Sequence, residues 1–132
     1  MNRRTYLKSA VAAVGLLAFG AGVAHAEPVK IAIANFGDHP QLNAAVEGFK
    51  KELADQGMKE GTDVVFTVDH VNFDATLVPQ MLSKIEAQKP ALVLAVTTPV
   101  SQQAKNAFAK SNIPVVFTAV TDPVAAGLTP SW

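Results

Sequence analysis

Three short segments of the chain place polar side chains directly before a proline. They are residues 35–40 (Asn-Phe-Gly-Asp-His-Pro), 97–99 (Thr-Thr-Pro) and 121–123 (Thr-Asp-Pro). A polar residue followed by proline is typical of the start of a helical turn, whose free backbone N–H groups attract an anion such as a carboxylate. The chemistry that these segments offer is therefore the binding of a small polar molecule.

The side chains in the three segments predict the contacts that such a molecule receives. Threonine hydroxyls donate and accept hydrogen bonds, and an ionised aspartate accepts them from a ligand ammonium group. A phenylalanine provides an apolar wall. We predict half of an amino-acid site made of Phe36, His39, Thr97, Thr98, Thr121 and Asp122.

Several members of this set also have a purely structural interpretation. In these alternatives Thr98 caps a helix, Asp122 caps a turn, His39 has a local polar role at a helix start, and Phe36 is ordinary packing. No catalytic residue, metal ligand or cofactor is predicted. The convergence of three segments favours ligand binding, because no single residue carries the argument.

The elements that must position these segments alternate along the chain. Short β-branched runs predict strands at residues 29–34, 63–71, 91–96 and 114–120, with a helical pattern between each pair. The first helix starts near Pro40 and stops at Gly57. The second must hold Pro79 in its opening turn, which favours Thr76 over Asp74 as its cap. In the third, Thr98 is the predicted cap, and the proline after it takes the first helical position.

This alternation predicts an α/β fold, a doubly wound parallel sheet with strand order 2-1-3-4. The first, third and fourth strands are nearly continuous apolar runs, which predicts that they are fully buried. The second carries Thr67, Asp69 and His70, which indicates an edge strand. Ligands of such sheets bind outside the carboxyl ends of the strands, where the strand order reverses between the first and third strands.

Residues 1–26 have the three-part form of a secretory signal. Arg3, Arg4 and Lys8 precede an apolar run at 10–23, and Ala-His-Ala at 24–26 predicts cleavage before Glu27. Residues 2–8 resemble the twin-arginine export motif, and an ordinary Sec signal is the alternative. Both routes predict a periplasmic protein that is not stably inserted in a membrane after cleavage.

Composition restricts the function further. The chain has no cysteine, so it has no disulfide, thiol nucleophile or lipid-attachment site, and we expect a soluble protein rather than a lipoprotein. Eleven basic residues balance eleven acidic ones, which gives no electrostatic footprint for nucleic acid. No glycine-rich nucleotide loop or nucleophile elbow is present, so the chain is not expected to be an enzyme. A flavodoxin-like enzyme domain and a periplasmic ligand-sensing module are the alternatives.

Residues along the whole mature chain resemble a known family, the ABC-transporter substrate-binding proteins typified by tryptophan- and tyrosine-binding members. The most specific part is the run Pro-Val-Val-Phe-Thr-Ala-Val-Thr-Asp-Pro at 114–123. The other matching pieces are Lys-Ile-Ala-Ile at 30–33, His-Pro-Gln-Leu-Asn at 39–43, Gly-Phe at 48–49, Gln-Lys-Pro at 88–90 and Thr-Thr-Pro at 97–99.

The resemblance implies a type I periplasmic-binding fold, in which two α/β lobes close on a small ligand that an ABC permease then imports. Residues 27–132 would form the amino-terminal lobe of a truncated protein whose second lobe is absent. The family's ligand contacts would fall on the loop around Phe36 and His39, on Thr97 and Thr98, and on Thr121 and Asp122.

Overall fold

The computed structural model describes residues 26–132. Apart from Ala26, the predicted signal segment lies outside the described residues. The elements are β1 (Val29–Asn35), α1 (Pro40–Asp55), β2 (Val64–His70), a 3₁₀ turn (Ala75–Leu77), α2 (Val78–Ala87), β3 (Leu92–Val96), α3 (Thr98–Ala107) and β4 (Val115–Thr118).

The four strands form one parallel sheet with the order β2-β1-β3-β4. This confirms the predicted strand order and the edge position of β2. Ile33 of β1 lies level with Val68 of β2 and with Leu94 of β3, so β1 pairs on both sides. The carboxyl ends of all four strands consequently lie at one edge of the sheet.

Helices cover both faces of this sheet. On one face α1 packs against β1 and β3, in a cluster made of Ile33, Val46, Leu94 and Val96, with Leu42, Phe49 and Phe66 packed partly buried against it. On the other face α2 and α3 pack in a cluster that includes Ala32, Ala34, Val93, Ala95, Leu82, Ile85, Val100, Ala104 and Phe108. The alanines of β1 and β3 leave room there for the larger side chains of the two helices.

The starts of α2 and α3 differ from the prediction. Thr76 does not cap α2: the cap position of α2 is Leu77. Asp74 caps the 3₁₀ turn that precedes α2, because its Oδ1 accepts hydrogen bonds from the N–H of Thr76 at 2.9 Å and from its hydroxyl at 2.6 Å. A 3₁₀ turn then leads into α2, where Pro79 occupies the opening turn. At α3 the cap position belongs to Thr97, and Thr98 is the first helical residue.

The prediction that β4 is fully buried was wrong. Val115 and Phe117 are half-buried, and 43% of Val116 is exposed. The apolar run has the composition of a central strand, but β4 lies at the sheet edge, and the cluster under α1 reaches only as far as β3. Burial of a strand depends on its neighbours, which composition does not specify.

Gly48 and Gly57 offer a matched test of the α1 assignment. A Cβ on Gly48, inside α1, meets nothing within 4 Å, whereas Gly57 follows the helix with φ of +92°. We expect Gly48→Ala to raise the free energy of unfolding by about 0.5–1 kcal/mol, because alanine has the higher helix propensity. Gly57→Ala should lower it. Urea unfolding of both variants measures the difference, and a destabilising Gly48→Ala would contradict the helix.

The cap of the 3₁₀ turn predicts a pH dependence. Hydrogen bonds from the side chain and then the backbone of Thr76 lower the pKa of Asp74 below its ordinary value of 3.8. The stabilisation from this cap is therefore complete above the ordinary aspartate pKa and is lost as the pH falls through the lowered pKa. Thermal melts at several pH values should show the wild type losing its advantage over Asp74→Asn in acid. Parallel curves for the two proteins would contradict the cap, and Thr76→Val should reproduce the reduced pH dependence.

Candidate ligand-binding site at the carboxyl edge of the sheet

The three proline-containing segments begin at the same edge of the sheet. They follow the carboxyl ends of β1, β3 and β4, and adjacent strands of a sheet lie about 4.8 Å apart. The N–H of Thr97 donates to the carbonyl of Thr118 at 3.0 Å, which joins the ends of β3 and β4 directly. The structure therefore brings the predicted residues to one edge, and their contact with a ligand stays a prediction.

The sheet topology predicts a crevice at this edge, between β1 and β3. The segment after β1 leads to α1 on one face of the sheet, and the segment after β3 leads to α3 on the opposite face. Chains that leave neighbouring strands toward opposite faces leave space between them, and that space is the usual ligand position in doubly wound sheets. Phe36 follows β1, and Thr97 and Thr98 follow β3, so the two segments flank this position along the sheet edge.

Thr97 has the most unusual environment of the six predicted residues. Its φ of 82° and ψ of 158° lie in a region that is nearly restricted to glycine and that costs about 1–3 kcal/mol. Its Oγ1 is buried and has no hydrogen-bond partner within residues 26–132. An unpaired buried hydroxyl costs a further ~1–3 kcal/mol.

The backbone of Thr97 holds this conformation in place. Besides the bond to Thr118, its carbonyl accepts from the N–H of Ser101 at 3.0 Å and from the Ser101 hydroxyl at 2.7 Å. Ser101 is fully buried in α3. The strained backbone of Thr97 is therefore held by hydrogen bonds to β4 on one side and to α3 on the other. Strained residues at functional sites are usually held by their surroundings in this way.

Thr98 is half-buried at the start of α3. Its alternative role as the helix cap is wrong, because Thr97 occupies that position and makes no side-chain cap bond. The first N–H groups of α3 consequently lack a capping side chain from residue 97. Helix amino termini in this condition are suited to an anionic group.

Asp122 has the structural role that was its alternative. Its Oδ1 accepts from the N–H of Val124 at 3.1 Å and from the N–H of Ala125 at 2.9 Å, which caps the turn that follows. Asp122 and Thr121 are both exposed. Both bonds use Oδ1, so a ligand ammonium group that binds Oδ2 would not compete with the turn.

His39 likewise has the local role that was its alternative. It caps α1, where its Nδ1 accepts from the N–H of Gln41 at 3.2 Å, and it is exposed. Beside it, the carboxylate of Asp38 accepts from the side chain of Asn43 at 2.7 Å. These bonds fix the segment that connects β1 to α1.

Phe36 is half-buried against the core under α2 and α3, so its packing alternative is confirmed for part of the ring. Two residues that sequence reasoning missed support it. The buried Asn35 accepts from the N–H of Phe36 at 2.8 Å, and Phe73 packs edge-to-face against it with ring centroids 5.7 Å apart. The only sequence signal for Phe73 was a large apolar residue outside any predicted strand or helix.

Three surface grooves lie away from these residues. The first, of about 290 Å³, is lined mainly by residues at the amino end of the sheet; the second, of about 400 Å³, lies between α3 and β4; and the third, of about 370 Å³, lies between β2 and α2. None of the six predicted residues lines any of the three grooves.

Within residues 26–132 no helix is long and apolar enough to cross a membrane.

Residues 30–132 match the family described as ABC transporter substrate binding protein. The chain belongs to this family. It is 39% identical over 101 residues to a tyrosine-binding protein of Clostridioides difficile (strain R20291), an alignment that covers 76% of this chain and 29% of that protein. The amino-terminal-lobe resemblance and the α/β sheet are thereby confirmed.

Solved structures of substrate-binding proteins have the same fold. The ligand-free, open structure of a substrate-binding protein with adhesive properties from Clostridium difficile superposes with a TM-score of 0.71 at 37% identity, over 78% of this chain and 34% of that one. An ABC domain from Streptococcus pneumonia in complex with L-Trp gives 0.71 at 29% identity, over 79% and 34%. This chain therefore spans about a third of the length of the relatives it matches.

We expect substitution of Thr97 to raise stability and, if the site binds a ligand, to lower its affinity. Thr97→Gly removes both the strained φ and the unpaired hydroxyl, so the free energy of unfolding should rise by about 1 kcal/mol despite the flexibility of glycine. Ligand affinity should fall. Thr98→Gly is the matched control and should destabilise, because Thr98 is already helical. Chemical denaturation with ligand titration checks both, and a destabilised Thr97→Gly would refute stored strain.

Proposed function

We propose that this chain captures a small ligand such as an amino acid in the periplasm, as the amino-terminal lobe of a binding protein that delivers it to an ABC importer. The observation that carries the proposal is Thr97, a strained residue at the start of α3 whose buried hydroxyl has no hydrogen-bond partner among residues 26–132. The strained backbone and the unpaired hydroxyl of Thr97 each cost free energy. We expect the binding of a polar ligand at the crevice to offset these two costs.

An amino acid fits the groups around the crevice. Its carboxylate would accept hydrogen bonds from the hydroxyl of Thr98, from the first N–H groups of α3 and, once a side-chain rotation exposes it, from the buried hydroxyl of Thr97. Its ammonium group would pair with Oδ2 of Asp122, since Oδ1 already serves the turn. Its side chain would lie against Phe36. His39 and Thr121 would line the rim as polar contacts.

The relatives support this ligand class. One is named for tyrosine binding, and another was solved with L-Trp. Both are more than twice as long as this chain, and a single lobe offers about half of the contacts of a ligand enclosed between two. We therefore expect tight binding to require a second lobe that closes over the carboxyl edge.

The location and partner follow from the proposed role. The signal-like residues 1–26 support export to the periplasm, and an ABC permease would receive the ligand. A periplasmic sensing module is the alternative, since it would use the same crevice and pass the ligand's signal to a receptor. Members of the family are binding proteins, so no catalytic role is proposed for any residue.

The direct test is the intact mass and the thermal melt of the mature product from its host, with and without a panel of amino acids that includes tyrosine and tryptophan. Ligand at one hundred times its Kd should stabilise the protein by about 2.7 kcal/mol. A product that none of the amino acids shifts would refute ligand capture. Co-purification of a permease, rather than a receptor, would separate import from sensing.

A second test addresses Asp122. Asp122→Asn keeps the oxygen that caps the turn but removes the charge, so amino-acid affinity should fall by about tenfold to a hundredfold. Affinity for a carboxylic acid with the same side chain but without the ammonium group should not change. Asp63→Asn is the matched control, because Asp63 is exposed and also accepts a backbone N–H, that of Lys59 at 2.9 Å, before β2. Equal losses for both ligands in Asp122→Asn would show a structural role only.

A further inference from the structure

A single helical turn follows β4 and carries Asp122 at its start. We call residues 122–127 the Asp122 turn. The Asp122 side chain accepts backbone N–H groups at its beginning. At its other end the N–H of Leu128 donates to the carbonyl of Pro123 at 2.9 Å, and Gly127 has φ of +71°. A bond of this type across a glycine with positive φ is the usual end of a helix.

Two side chains of α3 bind the carbonyl groups at the end of the Asp122 turn. Nε2 of Gln102 donates to the carbonyl of Ala126 at 3.1 Å, and Nζ of Lys105 donates to the carbonyl of Gly127. The last carbonyls of a helical turn have no partner within the turn itself, and they carry partial negative charge that a lysine ammonium group favours. We call these two side-chain bonds the α3 clamp.

The chain between β4 and the α3 clamp is joined to α3 at both of its ends. At one end the carbonyl of Thr118 accepts from the N–H of Thr97, at the start of α3. At the other end Gln102 and Lys105 hold the turn, about 8–12 Å further along the helix axis. Asp122 lies within this doubly anchored span.

Packing contributes little to the position of the Asp122 turn. Pro123 is the one buried residue between Thr118 and Gly127. Within the same span Ala119 has φ of 54°, an unfavourable value for a residue other than glycine. An exposed segment with few buried contacts opens at low free-energy cost, so the bonds of the α3 clamp have a large share in holding it.

We infer that Gln102 and Lys105 are positioning residues: through the α3 clamp they fix the Asp122 carboxylate relative to the first N–H groups of α3. This inference rests on the proposed function, in which Asp122 binds the ligand ammonium group and the start of α3 binds the ligand carboxylate. One carbon separates those two groups in an α-amino acid, so their protein partners must keep one spacing. Holding both partners in place before the ligand arrives increases affinity.

The first measurement uses the mature protein without ligand. Gln102→Met and Lys105→Met each remove one donor and keep an unbranched side chain. Amide hydrogen exchange at Gly127 and Leu128 should become about threefold to tenfold faster in each variant, because the turn opens more often. Lys110→Met, in an exposed residue beyond the end of α3, is the matched control and should leave both amides unchanged. Unchanged exchange in both clamp variants would overturn the inference without reference to any ligand.

The second measurement compares two ligands by NMR titration, which also detects weak binding. They are the amino acid that the wild type binds best and the carboxylic acid with the same side chain, which for tryptophan is indole-3-propionate. The double variant Gln102→Met, Lys105→Met should bind the amino acid about threefold to tenfold more weakly and the carboxylic acid within about twofold of wild type. Lys105→Arg keeps a charged donor and should keep the affinity for both.

The control variants separate positioning from other effects of the same substitutions. Lys110→Met removes an equal positive charge, so it reports any loss of carboxylate affinity that is due to charge alone. Circular dichroism melts establish that each variant is folded at the titration temperature. A changed ratio of amino-acid to carboxylic-acid affinity is the readout that a merely structural role does not produce.

The outcomes distinguish this inference from the proposed function. A wild type that binds no amino acid overturns both, although the exchange rates still report whether the clamp holds the turn. A wild type that binds an amino acid, with a double variant that binds both ligands unchanged or loses affinity equally for both, overturns only the positioning role of Gln102 and Lys105.

Discussion

The parallel pairing of β1 with β2 on one side and β3 on the other holds every other feature of this lobe in position. Ala32, Ile33 and Ala34 are completely buried, because strands lie on both sides of them and helices lie on both faces. Parallel pairing requires a crossover after each strand, and it places every carboxyl end at one edge. The crevice predicted between β1 and β3 is therefore a consequence of sheet topology, and the proposed ligand residues lie at its rim.

Four of the six described non-glycine residues with positive φ lie at this same edge, whereas Lys89 and Asn112 precede β3 and β4 at the opposite edge. Thr97, Asn72 and Phe73 each have positive φ without being glycine, and Thr97 also has a buried hydroxyl without a partner among the described residues. Hydrogen bonds to Thr118 and Ser101 hold Thr97, and the bond to Phe36 holds Phe73. Strain persists only where surrounding structure over-determines it, so the well-packed sheet is what allows a costly edge.

The described residues do not enclose the carboxyl edge of the sheet. This agrees with a chain that spans about a third of the length of its relatives. The six predicted ligand residues line none of the three grooves, and His39, Thr121 and Asp122 are exposed. Ligand sites that bind tightly are usually enclosed and apolar. In proteins that close two lobes over a ligand, enclosure comes from the second lobe, and one lobe contributes one side of the site.

The sequence by itself determined the alternation of strands and helices, the parallel order 2-1-3-4 and the edge at which the three proline-containing segments begin. These follow from hydrophobic periodicity and from the handedness of crossovers, which are local or general rules. Only the tertiary structure decided that Thr97 rather than Thr98 occupies the cap position of α3, that β4 is half-exposed, and that Phe73 covers Gly37. Each of these depends on which residues, distant along the chain, lie beside one another in space, such as Thr97 and Thr118, and composition and spacing do not specify such neighbours.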